Sequence, residues 1–325
     1  MIIAKAPLRI TLAGGGTDLP DFYTKYGGSV TSMAIDKYIF VSFKRNILDN
    51  LVKLRYLKTE EVESINKLSN ERARETLKHF KIFDQCEITS IGDLPASTGL
   101  GSSGSYLVSL ITAIQKYKNS NMSNHDIAEL ACKIEMEELN EPVGKQDQFI
   151  ASYGGIKTFN INTKGNVSVE NFEFSSDDLK TFINNNRIYY TGVQRSASEV
   201  LKSQKTNQTN FEDKMKKISD LSHKFVTSLK EKRYDYYGTL LNEHWMQKKA
   251  LSPHMTTNNV DQIYYHLMNN GSILGGKIIG AGGGGFLLVY CNNNHSFVDD
   301  YMSSKGLIRL KYNVDFDGTK IIYES

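Results

Sequence analysis

The sequence predicts an α+β protein of two domains, and three observations carry that expectation. Short β-branched and aromatic runs alternate with turn residues through positions 1–45. Leu107, Leu110, Ile111 and Ile114 recur at i, i+3, i+4 and i+7, the apolar stripe of an amphipathic helix. In the second half, strand-like runs at 188–191, 276–279 and 285–290 are interleaved with pairs of helical segments. The chain has 325 residues, more than the roughly 250–300 that one hydrophobic core usually spans. Asn, Ser, Lys and Asp dominate between about 160 and 186, so the boundary is placed there, giving domains 1–172 and 173–325.

The elements follow in chain order. Ile10–Ala13 is apolar and breaks at Gly14-Gly15-Gly16. Gly27-Gly28 precedes a strand over 29–35, and Tyr38–Phe43 reads as another. A polar helix is expected from about Asn66 to Phe80, then a strand over Cys86–Ile91 that feeds a glycine-rich loop and the helix of Leu107–Ile114. A second helix starts at Ser123, which with Asp126 forms a capping-box pattern; it buries Ile127, Leu130, Ala131 and Ile134 and must end before Pro142. Beyond the boundary come the strand at 188–191, helices from about Phe211 to Lys249, and a helix at Val260–Met268 stopped by Gly271. Two strands then flank four glycines, and a short helix near 297–302 and a strand near 307–312 complete the chain.

Composition excludes several classes. The chain is 40% hydrophobic and 23% charged, as in ordinary globular proteins. Thirty-nine Lys+Arg against 36 Asp+Glu leave no basic excess of the kind nucleic-acid binding needs. Cys86, Cys132 and Cys291 are too few and too scattered for a disulfide framework or a zinc site, and they read as buried thiols. The N-terminal apolar run is too short for a signal peptide, and nothing approaches the ~20 apolar residues of a membrane span. A cytoplasmic protein with no membrane partner is expected.

The most informative stretch is Leu94-Pro95-Ala96-Ser97-Thr98-Gly99-Leu100-Gly101-Ser102-Ser103-Gly104-Ser105. Glycines let a backbone approach a ligand closely, and the free N–H groups of the following helix attract an anion. A plain connecting loop can share this composition. Gly99 to Gly104 literally matches G-x-G-x-x-G, but the preceding polar segment with Pro95 contradicts a dinucleotide turn. A Walker A lysine is absent, and G-x-S-x-G fails because Ser105 stands where its last glycine should be.

Three segments together resemble the GHMP kinases: Lys5 to Asp18 (KAPLRITLAGGGTD), Pro95 to Ser105, and Gly280 to Phe286 (GAGGGGF). Within that family, Ala13 to Asp18 and Tyr190 to Ser198 are most similar to the D-glycero-D-manno-heptose 7-phosphate kinases. The resemblance implies an N-terminal ribosomal-protein-S5-domain-2-like domain and a C-terminal ferredoxin-like domain. It implies transfer from ATP to the anomeric hydroxyl of a heptose 7-phosphate, feeding nucleotide-activated heptose for bacterial lipopolysaccharide, capsule or S-layer glycans. Gly15-Gly16 stand where galactokinases carry a Glu-His pair, so galactose contacts do not transfer. Fucokinase-like or other sugar-1-kinase activity is the nearest rival; a diphosphomevalonate decarboxylase or a catalytically inactive sensor fits less well. A homodimer is one assembly consistent with the family.

Residue by residue, the resemblance implies ATP contacts at Pro95, Gly99, Leu100, Gly101, Ser102, Ser103 and Gly104, and magnesium (Mg2+) ligands at Ser103 and Glu135. Asp147 would be the base, placed in a loop beyond Pro142 and Gly144, and Arg9 would offset charge on the transferred phosphoryl group. Gly16, Thr17, Asp18 and Gly283 would border the sugar. For the substrate's own phosphate Arg195 is preferred, because a guanidinium fork suits phosphate; Lys145, Lys248 and Lys249 are rivals.

Overall fold

The computed structural model describes residues 1–194 and 211–325. Ten helices and twelve strands are described: β1 (Ile2–Ala13), α1 (Pro20–Tyr26), β2 (Gly28–Arg45), β3 (Val52–Arg55), β4 (Thr59–Val62), α2 (Glu71–His79), β5 (Cys86–Gly92), α3 (Ser102–Tyr117), α4 (Asn124–Lys133), α5 (Gln146–Tyr153), β6 (Ile156–Ile161), β7 (Val167–Asn171), α6 (Ser176–Asn185), β8 (Asn186–Tyr190), α7 (Phe211–Lys230), α8 (Tyr234–Lys249), α9 (Asn258–Asn269), β9 (Gly275–Ile278), β10 (Phe286–Tyr290), α10 (His295–Ser304), β11 (Ile308–Leu310) and β12 (Lys320–Glu324).

Strand β2 organises the first sheet. At 18 residues it pairs with β1 along one side, while its other side pairs with β6 over 28–33 and with β5 over 39–45. The sequence reading divided this strand at Asp36-Lys37. The strand runs through instead, because Asp36 accepts from Asn313 N–H at 3.0 Å and from Lys37 Nζ at 2.8 Å, which satisfies the polar pair within it.

The second sheet has the order β11-β8-β10-β9, all antiparallel, the strand order of a ferredoxin-like unit. The final strand β12 does not join it: it pairs antiparallel with β1 and returns to the first sheet. A division at 172/173 therefore assigns one strand of the first sheet to the second half of the sequence. Strands β3, β4, β6 and β7 and helix α6 were not foreseen. Strands β4 and β7 are short and largely polar, so neither periodicity nor apolar runs announce them.

Helix α3 packs its stripe, Leu107, Leu110, Ile111 and Ile114, fully buried. Truncating one such side chain to alanine costs about 2–5 kcal/mol, which anchors the loop in front of it. Ser123 caps α4 as expected: its hydroxyl accepts Asp126 N–H at 3.1 Å while Asp126 accepts Ser123 N–H at 3.0 Å. Helix α4 then widens into a π turn over Ile134–Glu138, a feature that often marks functional sites. Among the described residues no helix is long and apolar enough to cross a membrane.

Candidate active site

The loop ahead of α3 folds as it does because its glycines meet other backbones. Gly99 has φ +82°, and a Cβ there would stand 2.5 Å from Ile279 O; a Cβ on Gly280 (φ +80°) would stand 2.7 Å from Gly99 O. The two glycine-rich segments of the sequence thus press backbone to backbone, which no side chain would permit. Leu100 puts its side chain into the core, and its carbonyl accepts Arg9 N–H at 3.0 Å. Gly101, left-handed at φ +77°, starts α3, whose first N–H groups at Ser102 to Gly104 have no partner within the helix.

Arg9 enters from β1, and Asp147 from the first turn of α5. Arg9 Nε donates to Asp147 Oδ1 at 2.7 Å, Nη2 to Oδ2 at 3.0 Å, and Nη1 to Gly99 O. One guanidinium therefore ties the carboxylate to the glycine loop through a two-pronged bond. Asp147 is not on a loop, as the sequence suggested, but is the second residue of a helix. Gly144 and Pro142 end the preceding segment early enough for a new helix to begin, and an acidic side chain in a first turn is favoured by the helix dipole. Its flanking residues fix it: Gln146 Oε1 accepts from Thr11 Oγ1 at 2.6 Å, and Gln148 Nε2 donates to Glu135 Oε2 at 2.5 Å.

Asp18 is buried and joins two loops, accepting Gly16 N–H at 3.0 Å and Gln146 N–H at 3.1 Å. Burial pushes its carboxyl above the usual carboxylate range; the Asp147 charge adds to this and the two N–H bonds oppose it. Thr17 departs from its expected role. Its hydroxyl shares its one proton between Gly14 O and Ser29 O at 2.8 and 2.9 Å and accepts Ser29 N–H, so it is used in shaping the turn and not offered to a sugar. Gly283 turns its N–H to Met255 O at 2.8 Å.

Ser103 and Glu135, read as a magnesium pair, stand in different surroundings. Ser103 lines the cleft beside Asp147. Glu135, on the π turn and fully buried, accepts Arg72 Nε at 2.8 Å on one oxygen and Gln148 on the other. Ser103 fits a magnesium ion carried on nucleotide phosphates, since that ion takes few protein ligands; Glu135, with Arg72 against it, does not. Among the described residues no three acidic, His or Cys side chains form a metal cluster.

The opposite wall of the cleft, a cavity of about 120 Å³, carries His244 and Lys248 of α8 and Lys277 of β9. Of these only Lys248 was named from the sequence. Its rivals are engaged elsewhere: Lys145 Nζ binds Glu129 at 2.9 Å and Gly165 O at 2.8 Å, and Lys249 binds Asp261 at 3.3 Å and Tyr265 at 2.6 Å. Arg195 lies outside the described residues. Two signals could have found the others: His244 and Lys248 are spaced i, i+4, and Lys277 interrupts an otherwise apolar strand.

A glycine loop at a helix start and the part-buried Arg9–Asp147 fork thus share one cleft of the α+β fold. Residues 66–155 match the family model described as "GHMP kinases N terminal domain". It is 27% identical over 290 residues to the D-glycero-alpha-D-manno-heptose 7-phosphate kinase of Campylobacter jejuni, covering 84% of this chain and 85% of that one. It is 24% identical to the mevalonate kinase of Saccharolobus solfataricus, over 74% and 75% of the two chains. Among solved structures, a D-glycero-D-manno-heptose 1-phosphate kinase from Bacteroides thetaiotaomicron superposes with a TM-score of 0.80 at 18% identity, over 100% of both chains.

Proposed function

We propose that the chain transfers the γ-phosphoryl group of ATP to the anomeric hydroxyl of D-glycero-D-manno-heptose 7-phosphate, giving the 1,7-bisphosphate for nucleotide-activated heptose and bacterial surface glycans. The observation that carries the reading is the Arg9–Asp147 fork, closed onto Gly99 at the open start of α3. The identity of the acceptor is supported by the similarity to the Campylobacter kinase.

In this reading the triphosphate lies on Pro95–Gly104 and meets the free N–H groups of Ser102, Ser103 and Gly104. The Asp147 carboxylate orients the sugar hydroxyl and accepts its proton as the oxygen attacks the γ-phosphorus. The bond to the bridging oxygen of ADP breaks, and Arg9 offsets the charge spread over the phosphoryl oxygens. Magnesium bound to the phosphates through Ser103 would supply further charge neutralisation. Gly16 and Asp18 border the acceptor, and Thr17 acts by holding their turn. The nucleotide loop and the fork fall within 1–172 and the basic wall within 173–325, so the active site lies between the two proposed units.

Asp147→Asn tests the base. It is expected to fold and bind ATP, and to lose turnover by about 10²–10⁴-fold. Full turnover in that variant would remove the role. ATP consumption should be followed with heptose 7-phosphate, fucose, galactose and mevalonate, and the product position read by NMR. Turnover with fucose but not with heptose 7-phosphate would overturn the acceptor assignment.

A further inference from the structure

Among the described residues, no carboxylate forms an ion pair with the basic side chains on the C-terminal wall of the cleft, and Asp18 acts on Lys248 only from nearby. His244, Lys248 and Lys277 are only 1%, 7% and 3% exposed. Neither ring nitrogen of His244 has a hydrogen-bond partner among the described residues. Lys277 Nζ has one, Leu12 O at 3.1 Å, which leaves its remaining N–H groups free. The Lys248 ammonium overhangs the glycine turn, 3.4 Å from where a Cβ on Gly16 would be. The Asp18 carboxylate nearby is committed to two backbone N–H groups.

Burying cations without partners is costly, and the protein lowers that cost by weakening them as bases. Burial pulls the Lys248 ammonium down to about 8, with Asp18 opposing. Burial also drives Lys277 and His244 well below their ordinary values, and the neighbouring cations add to it. Such an arrangement is stabilised when an anion enters the cavity. The triphosphate already has its own cradle at the start of α3. Lys248 instead lies against Gly16 and Asp18, on the acceptor side, and Lys277 beside it reaches Leu12 O.

Resting on the functional reading above, we propose that His244, Lys248 and Lys277 form the subsite for the acceptor's own phosphate, a phosphomonoester dianion. The three make a specificity site: they hold the substrate by the end that does not react. The glycines at 15 and 16 leave the space in which that phosphate reaches Lys248.

The experiment compares wild type, Lys248→Met and Lys248→Arg with heptose 7-phosphate and with the same heptose lacking phosphate, and records KM for both acceptors and for ATP. Losing one charge-assisted hydrogen bond should raise KM for the phosphorylated sugar in Lys248→Met by about 10–150-fold. KM for ATP and for the unphosphorylated sugar should stay unchanged, and Lys248→Arg should recover part of the loss. Lys248→Met should melt no lower than wild type, because it removes an unpaired buried cation. A rise in KM for ATP instead would give the cluster to the γ-phosphate and overturn the proposal, as would an undiminished preference for the phosphorylated sugar. Thermal shift with inorganic phosphate separates the two readings. A wild-type chain that binds phosphate through Lys248 but turns over no sugar phosphate would sink both the acceptor role of this subsite and the function above, whereas a chain that turns over heptose 7-phosphate with Lys248 irrelevant would sink the subsite alone.

Discussion

The two walls of the cleft manage buried charge in opposite ways. On the N-terminal side every charge is answered within the chain: Arg9 by Asp147, Glu135 by Arg72 and Gln148, Asp18 by two backbone N–H groups. On the C-terminal side the His244, Lys248 and Lys277 side chains make, among the described residues, a single hydrogen bond, from Lys277 Nζ to Leu12 O. A wall whose groups already satisfy one another is organised before the substrate arrives, and suits chemistry that depends on fixed geometry. A wall of unpartnered basic groups is organised only around an incoming anion, and suits recognition. The same residue types thus serve catalysis or specificity according to whether their partner is in the chain or in the substrate.

The largest expected effect comes from making the first wall resemble the second. Arg72→Met strips the guanidinium from Glu135, which is fully buried. Removing one partner of a buried pair leaves an uncompensated charge, and a loss of about 3 kcal/mol is expected, the low end of the usual range because Arg72 is 25% exposed. A denaturant midpoint equal to that of wild type would mean that Glu135 and Arg72 are independent, and the contrast between the walls would fail.

How much of this was legible in the sequence depends on whether a feature is local. The loop at 95–105, the α3 stripe and the Ser123 cap are patterns within one segment, and each stands where it was read. Arg9 and Asp147 could be named by motif, but not their fork, because it joins residues 138 apart in sequence. Thr17 was misread for the same reason: only the fold shows that Ser29, across a strand pairing, takes up its hydroxyl. Glu135 was read as a magnesium ligand because nothing in its own segment announces Arg72. His244 and Lys277 passed as ordinary helix and strand residues, since an unpartnered group is defined by what surrounds it.

A smaller effect is expected from loosening the first wall without removing a charge. A Cβ on Gly104 would stand 2.8 Å from Asp147 Cβ and 3.2 Å from the Asp147 carbonyl carbon. Gly104→Ala must therefore push α3 and α5 apart, and overpacking of this kind costs about 1–3 kcal/mol. Turnover should fall with it, on the order of tenfold or more, because Asp147 moves relative to the loop. KM for heptose 7-phosphate should change little, since the basic wall is untouched. If KM rose while turnover held, the division of labour between the walls would be wrong.

The smallest effect concerns pH, and its sign separates stability from binding. The Lys248 ammonium lies at about 8 in the folded chain against an ordinary 10.5. The unfolded chain therefore binds the extra proton between those two values, and across that window the Lys248 contribution to stability rises with pH. Acceptor binding runs the other way, because the phosphate needs the charged form. The groups facing Lys248 are Asp18, Asp147 and Arg9 from the N-terminal wall and His244 and Lys277 from its own. Each is present in both wild type and Lys248→Met, so the ratio of the two proteins isolates the one lysine. That ratio should show the wild-type advantage in KM for heptose 7-phosphate shrinking by about tenfold between pH 7 and pH 9, while the melting temperature of wild type gains on the variant over pH 8 to 10. Parallel movement of the two quantities would mean that the lysine already has an anion within the chain, and the second wall would then be no different from the first.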